Sequence, residues 1–568
     1  VGQGGRPALT ARPRPPHVPL SLAQQRMWTL NQVDTASAAY NIPVAVRLSG
    51  ALDAGVLASA VADVIARHEV LHTTYPDTAD GPAQVLVPLD RAVPRLQPIA
   101  VSEADVTDRL IEFLGRGFDV TAEVPVRAAL FAVGQTEHVL AFVAHHIAAD
   151  GFSMGPLIRD VVLAYVARVD GGVPQWEPLG VQYADYTLWQ REVLGDESDP
   201  DSAVARQIAY WVDELKGAPE LSALPTDRPR PARPSLAGAA VPFAVDADLA
   251  ARVEKTAREQ GATTFMVFHA ALAILLSRLG GSNDITIGTP VAGRGDAALD
   301  DLIGMFVGTL ALRTRVEPSA SFADLLAHAR TQDLAAFANA DVPFEQVVEA
   351  VGVRRASSHS PLFQVMLTFQ NMQTGTFALP GLEVSALDLG ADQSKFDVQV
   401  TAVEQFDQSG ALTGIDGSFT YATELFDRET VEVFADRFVR ILDVVTENPS
   451  VVLRAIDVTT DAERAALEPK KQLTVDDLPE LVAGAAQIAP ETVAVAHDGT
   501  DVTFGQLHAK LEATVALMGA ALKGEALMTV ALTGLLPGIL PALGPDGYRS
   551  AVAEMIVAAS AIIEGGHE

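Results

Sequence analysis

The chain has 568 residues, no cysteine and a formal net charge of −32 at pH 7. That length predicts roughly two to four domains, and 49% hydrophobic residues are ample for their cores and argue against a disordered protein. The negative balance argues against nucleic acid or anionic membranes as partners. The missing cysteines exclude disulfides, thiolate catalysis and zinc–thiolate sites, and are compatible with a cytoplasmic location.

Residues 1–17 contain Arg12-Pro13-Arg14-Pro15-Pro16 and no apolar h-region, so they read as an inter-domain linker rather than a signal peptide. A first lobe is expected over 18–223. It carries an amphipathic helix from Asp53 to His68, with Val56, Leu57, Ala60, Val61 and Val64 on its apolar face. Further on, the apolar run Val139 to Ala144 predicts a buried strand, followed by a polar turn and a helix from Met154 to Val169. Pro225-Thr226-Asp227-Arg228-Pro229-Arg230-Pro231 cannot continue a helix, so 224–235 reads as a crossover into a second lobe over 224–455. That lobe opens with a strand near Ala240 to Val245, then a helix around Phe265 to Leu279 and a strand at Asp284 to Gly288. Residues 456–480 are charged, without a long apolar run, and read as a linker. Within 481–568, Ala526 to Gly544 is uncharged and long enough to raise the question of a membrane span. Gly534, Pro537, Gly538 and Pro541 would break such a span, so a strand plus turn in a soluble core is expected there. Periodicity alone gives an α/β chain with two lobes.

The stretch richest in chemistry is His145-His146-Ile147-Ala148-Ala149-Asp150-Gly151, at the end of the predicted strand. Neighbouring strand residues face opposite ways, so His145 and His146 cannot easily serve one site together, and a metal pair is not expected. One should face reacting groups while the other is buried in support. A neutral imidazole can take a proton from an attacking amine or hydroxyl. Asp150 can either orient His146 or turn away and pair with an arginine that fixes the turn. Gly151 permits backbone geometry closed to other residues, and its N–H can approach a substrate. The bland alternative is two hydrogen-bonded core histidines followed by a helix N-cap.

The motif HHIAADG with Gly151-Phe152-Ser153-Met154-Gly155-Pro156-Leu157 resembles the signature of condensation domains in non-ribosomal peptide synthetases, members of the chloramphenicol-acetyltransferase-like superfamily. Further family-like motifs stand in the expected order: Ser21-Leu22-Ala23-Gln24-Gln25-Arg26-Met27-Trp28, Arg67-His68-Glu69-Val70-Leu71, and Tyr183-Ala184-Asp185-Tyr186-Thr187-Leu188-Trp189. They continue with Ile287-Gly288-Thr289-Pro290-Val291-Ala292-Gly293-Arg294, Leu302-Ile303-Gly304-Met305-Phe306-Val307, Asp341-Val342-Pro343-Phe344-Glu345 and Ser394-Lys395-Phe396-Asp397. The resemblance covers residues 18 to 455. Three positions depart from it: His72 and Gly308 stand where arginine and asparagine are common, and Phe152 replaces a frequent tryptophan. Residues 481–568 resemble the start of an adenylation domain, partial or degenerate, through Val502-Thr503-Phe504-Gly505-Gln506-Leu507. The chain has neither the phosphate-gripping loop of adenylation enzymes nor the Gly-Gly-x-Ser motif of a carrier.

The resemblance implies two α/β lobes in a V-shaped pseudo-dimer, with the active site at their junction. The implied reaction is amide bond formation between a donor acyl or peptidyl thioester and the amine of an acceptor aminoacyl thioester. Both substrates would arrive on 4′-phosphopantetheine arms of upstream and downstream peptidyl carrier proteins, beside an adenylation domain, with no cofactor or metal bound at the site itself. It assigns His146 to the attacking amine, as general base or as positioner. The Gly151 N–H is assigned to the thioester carbonyl, and His145 and Asp150 to support. Arg294 and Arg67 are the candidates to face Asp150, and Trp189 is a packing anchor. The context Ala292-Gly293-Arg294-Gly295-Asp296 resembles domains that accept a D-configured donor end. Rival readings on the same fold are an epimerase, an ester-forming relative and a non-catalytic docking platform for a partner enzyme. Phe152-Ser153-Met154-Gly155-Pro156 and the intact His146 favour condensation.

Overall fold

A computed structural model describes residues 6–565 apart from 223, 354–355, 357, 371–378, 388–392, 408, 461–462, 465–476 and 519–521. The chain forms two compact units, Val1–Thr460 and Asp461–Glu568.

The first unit is built of two α/β lobes, each on its own sheet. In the first lobe, five strands lie in the order Leu382–Ala386, Asn41–Gly50, Glu137–His145, Val126–Ala132, Pro98–Ala100. All pairs are antiparallel except the last. The outermost strand comes from late in the chain: Leu382–Ala386 pairs with Asn41–Gly50, so the second half of the sequence completes the sheet of the first. Helices Ala54–Arg67 and Met154–Val169 lie side by side on this lobe. Asp53 caps the former by accepting the N–H groups of Gly55 and Val56, and its buried face is Leu57, Ala60, Val61, Val64 and Ile65. This is the stripe expected from the sequence, because apolar residues at three- and four-residue spacing share one helical face.

The second lobe carries six strands in the order Gly308–Arg315, Asp284–Val291, Val365–Gln370, Val398–Phe406, Leu412–Ala422, Gly238–Val245. The two pairs made by Val365–Gln370 are parallel and the rest antiparallel. Helix Thr264–Gly280 is buried without interruption from Met266 to Ser277. An all-round apolar helix of this kind belongs in a core. Among the described residues no single helix is long and apolar enough to cross a membrane. One bent pair, Ala247–Glu259 with Thr264–Gly280, meets length and composition criteria, and its second member is this core helix.

Residues 6–17 are strapped to the fold rather than free. Leu9 is buried in the first-lobe core, and Arg14 bonds both Glu69 and Asp185. The crossover over 224–235 has no helix or strand and is pinned by Arg230 to Asp397 at 2.7 Å.

The second unit contains helix Leu478–Ile488, which begins inside the segment expected as a linker, and a hairpin of Val493–His497 with Thr500–Thr503. Helices Phe504–Met518, Gly524–Leu535 and Ile539–Gly565 follow, the last broken at Gly544. The strand plus turn expected over 526–544 is therefore wrong: the segment is helix, break, helix. Its composition explains this. Ala526-Leu527-Met528 and Ala531-Leu532 are good helix formers with little β-branching, and Pro537-Gly538 falls between the two helices. Leu527, Met528, Ala531 and Leu532 bury against Phe504, Leu507 and Val552.

Candidate active site

Strand Glu137–His145 delivers the two histidines. It pairs in register with Asn41–Gly50, so Leu140 sits opposite Val46, Phe142 opposite Val44 and Ala144 opposite Ile42. The chain leaves the strand with the His146 N–H donating to the Tyr40 carbonyl at 2.8 Å, which continues the same row. The two imidazoles then part company. The His145 ring is buried, with its ring centre 6.0 Å from that of Phe118, and its Nδ1 accepts the Ile147 N–H at 3.1 Å. That bond requires the neutral Nε2–H tautomer, and burial pushes the pKa down to about 4. His146 lies edge-on to Tyr40 with ring centres 6.4 Å apart. Its Nδ1 is buried without a hydrogen-bond partner among the described residues. Burial pushes its pKa down to about 3; the charge of Lys395 and neighbouring His145 add to this, the Ala149 backbone works against it, and Arg26 adds least. His146 is thus a neutral imidazole.

Asp150 does not reach back to either histidine. It is fully buried and caps its own turn, accepting the Ser153 N–H at 2.8 Å. Its other oxygen accepts the backbone N–H groups of Phe306 at 2.9 Å and Val307 at 3.1 Å, from the segment entering the second-lobe strand Gly308–Arg315. Ser153 Oγ, 2.8 Å from Asp150 and 2.9 Å from the Gly304 carbonyl, also receives the Gly304 N–H at 3.1 Å. Of the two options open for Asp150, the turn away from His146 is the one observed.

Arg294 takes the place opposite Asp150. Its guanidinium lies 3.5 Å from the carboxylate and 3.1 Å from Ser153 Oγ, holds the Leu302 carbonyl at 2.8 Å and the Leu299 carbonyl, and stacks 4.4 Å above the Phe306 ring. Arg67, the other candidate, is elsewhere. It bonds Asp160 at 2.9 Å and the Glu177 carbonyl at 2.8 Å, and lies over Trp176. The reason is position: Arg67 ends helix Ala54–Arg67 beside helix Met154–Val169, where His68 and Arg159 converge on the same carboxylate. Trp189 packs near Tyr186 and donates its indole N–H to the Pro7 carbonyl at 2.7 Å, so it anchors the N-terminal strap.

Gly151 departs from expectation. It lacks a positive φ, and a Cβ added to it would meet nothing within 4 Å. Backbone strain does not require glycine there; open space lies beside it. The left-handed glycine is Gly293, at φ 65°, where an added Cβ would come 2.0 Å from the Phe306 carbonyl. His72 hydrogen-bonds the Val87 carbonyl through Nδ1 at 2.8 Å.

Several contributors received no role from sequence. Ser153 had a legible signal, since it stands three residues after Asp150 in a capping-box arrangement. Tyr183 donates to the Met305 carbonyl at 2.6 Å and lies 2.8 Å from Ser21 Oγ, joining segments that the motifs mark but do not connect. Lys395 sits 5.2 Å over the Tyr40 ring, and Arg26 pairs with Glu345 at 2.7 Å.

This arrangement, a histidine at the end of a first-lobe strand and an aspartate clamped to the second lobe, stands on a two-lobe chloramphenicol-acetyltransferase-like scaffold. Residues 15–468 match the family model of the condensation domain, and the chain belongs to that family. It is 40% identical over 523 residues to the dimodular nonribosomal peptide synthase of Bacillus subtilis, covering 91% of this chain and 22% of that protein. It is likewise 40% identical over 510 residues to the isonitrile lipopeptide synthase of Mycobacterium tuberculosis, covering 88% and 20%. The chain thus spans about a fifth of these two relatives. Among solved structures, the X-domain in its complex with OxyB from teicoplanin biosynthesis is 35% identical with a TM-score of 0.73, over 81% of this chain and 100% of that one.

Proposed function

We propose that the chain catalyses amide bond formation, transferring an acyl or peptidyl group from a donor thioester to the amine of an acceptor aminoacyl thioester. The observation that carries this reading is His146: a neutral, half-buried imidazole at the junction where Asp150 binds the second lobe. The thioester is already activated, so catalysis rests mainly on positioning. The amine nitrogen attacks the carbonyl carbon, the C–N bond forms and the C–S bond breaks, and the thiol leaves with a proton.

Among the described residues His146 has no carboxylate partner to raise its basicity, and burial lowers it further. Such an imidazole is a poor base toward a free ammonium group. It is better suited to accepting a hydrogen bond from a neutral amine, then taking the proton once attack has made the nitrogen cationic and acidic. The Gly151 N–H would face the carbonyl oxygen, and the open space beside Gly151 would take the thioester. Substrates would come on phosphopantetheine arms of peptidyl carrier proteins, with an adenylation domain nearby. Residues 481–568 would belong to such a neighbour.

A second reading, a docking platform for a partner enzyme, is favoured by the likeness to the X-domain in its complex with OxyB. Two purified carriers, one loaded with donor and one with acceptor, separate the two readings. Amide on the acceptor carrier, read by intact mass, supports condensation; none across several donors of both configurations supports the platform.

A further inference from the structure

Three motifs from distant parts of the chain supply the charges around His146. Arg26 stands on helix Leu22–Val33, Glu345 on helix Phe344–Val351, and Lys395 just before strand Val398–Phe406. Arg26 and Glu345 balance one another in an ion pair at 2.7 Å. Lys395 has no such partner among the described residues; its ammonium lies 5.2 Å over the Tyr40 ring. The carboxylates nearest to it are already engaged. Asp397 is held by Arg230 at 2.7 Å, and Glu424 accepts the Ser235 N–H at 2.7 Å. His359, in the same recess as Lys395, has its Nδ1 3.0 Å from Ser358 Oγ. Asp150 is turned to the second-lobe N–H groups.

This surplus cation falls on the reacting histidine. Tyr40 lies edge-on to His146 with ring centres 6.4 Å apart, and its carbonyl accepts the His146 N–H. After burial, Lys395 is the strongest influence holding the His146 pKa down. Burial and Arg26 lower the pKa of Lys395 itself. Its side chain still reaches solvent, and only full removal from water brings a lysine near neutrality, so it stays a cation. A field that opposes a proton on His146 likewise opposes one on an amine docked against it. The imidazole needs this help: it is a poor base toward an ammonium group, and only the free amine has a lone pair for attack. Once the C–N bond has formed, the proton passes from the cationic nitrogen to His146 within the same field, so that step is little affected.

We propose that Lys395 is a positioning residue that excludes the ammonium form of the acceptor from His146, so that the amine docks as the neutral nucleophile. The proposal rests on the condensation reading for the presence of an amine there, though the field of Lys395 can be measured apart from turnover.

Two S-alkyl pantetheines of the same shape, one ending in trimethylammonium and the other in tert-butyl, probe that field by calorimetric titration of the full chain at about pH 7. The preference of wild type for the neutral probe over the charged one should fall about tenfold in Lys395→Gln and persist in Lys395→Arg, with melting temperatures checked. Single-turnover amide formation between loaded carriers gives a second reading. Its acid limb, set by the acceptor amine, should move up by about one pH unit in Lys395→Gln and hold its place in Lys395→Arg. An unchanged preference, or a rate lowered at every pH without movement of the limb, overturns the proposal. An active enzyme whose limb and preference both ignore Lys395 would refute this inference alone. A preference lost in Lys395→Gln, in a protein that makes no amide, would refute the function and leave the field at His146 standing.

Discussion

Asp150 accepts the backbone N–H of Phe306 at 2.9 Å, joining the turn after the paired histidines to the segment that opens a second-lobe strand. A carboxylate placed four residues after a histidine is here a clamp between lobes rather than that histidine's partner. With the Val307 and Ser153 N–H groups, the carboxylate accepts three backbone bonds, those from Phe306 and Ser153 buried.

Asp150→Ala should therefore act first on stability. It strands three N–H donors, two of them buried, and leaves Arg294 with less compensation, a loss of about 3–5 kcal/mol. Urea unfolding followed by tryptophan fluorescence measures it. A change under about 1 kcal/mol would mean that the clamp is not formed in solution.

The two arginines should separate in double-mutant cycles. Arg67 and Asp160 make a buried ion pair, so their cycle should show coupling of about 1–3 kcal/mol. Arg67 and Asp150 share no contact and should be additive within about 0.5 kcal/mol. Strong coupling between Arg67 and Asp150 would contradict the assignment of Arg294 to that place.

Tyr183→Phe should cost about 1–2 kcal/mol, since the hydroxyl bridges Ser21 and the Met305 carbonyl inside the core. Its ring contact with Phe306 remains. Thermal unfolding checks this, and an unchanged melting temperature would exclude the bridge.

The histidines set an acid-side stability limit. His145 and His146 have folded-state pKa values pushed down to about 4 and about 3, against about 6.5 when unfolded. Between these values the unfolded chain binds more protons, so stability present above about pH 6.5 is lost as pH falls. Each histidine contributes a slope of about 1.4 kcal/mol per pH unit in that window. The stability of wild type minus that of His146→Ala should decline by that slope from about pH 6 to about pH 4. A flat difference would show that His146 titrates normally.

Local chemistry made much of this readable in sequence. Asp53 followed by an apolar stripe gave a helix whose observed span is Ala54–Arg67, and the pattern after the glycine gave Met154–Val169 directly. Strand alternation separated His145 from His146. Long-range pairing was not readable: nothing near Leu382–Ala386 announces that it completes a sheet begun at Asn41. The direction of Asp150 was open for the same reason, because its partners Phe306 and Val307 lie far along the chain. Arg67 looked equivalent to Arg294 because a motif marks a residue without saying which carboxylate it meets. The error over 526–544 came from weighting Gly534, Pro537, Gly538 and Pro541 as breakers above the helix-forming residues that precede them.

Direct action of His146 on the attacking amine is the centre of the proposed chemistry. Single-turnover amide formation between loaded carriers, comparing wild type with a folded His146→Ala variant, tests it most directly. A rate lower by about 10²–10⁴-fold, with unchanged acceptor affinity, is the predicted result. A variant that forms the amide at the wild-type rate would contradict it.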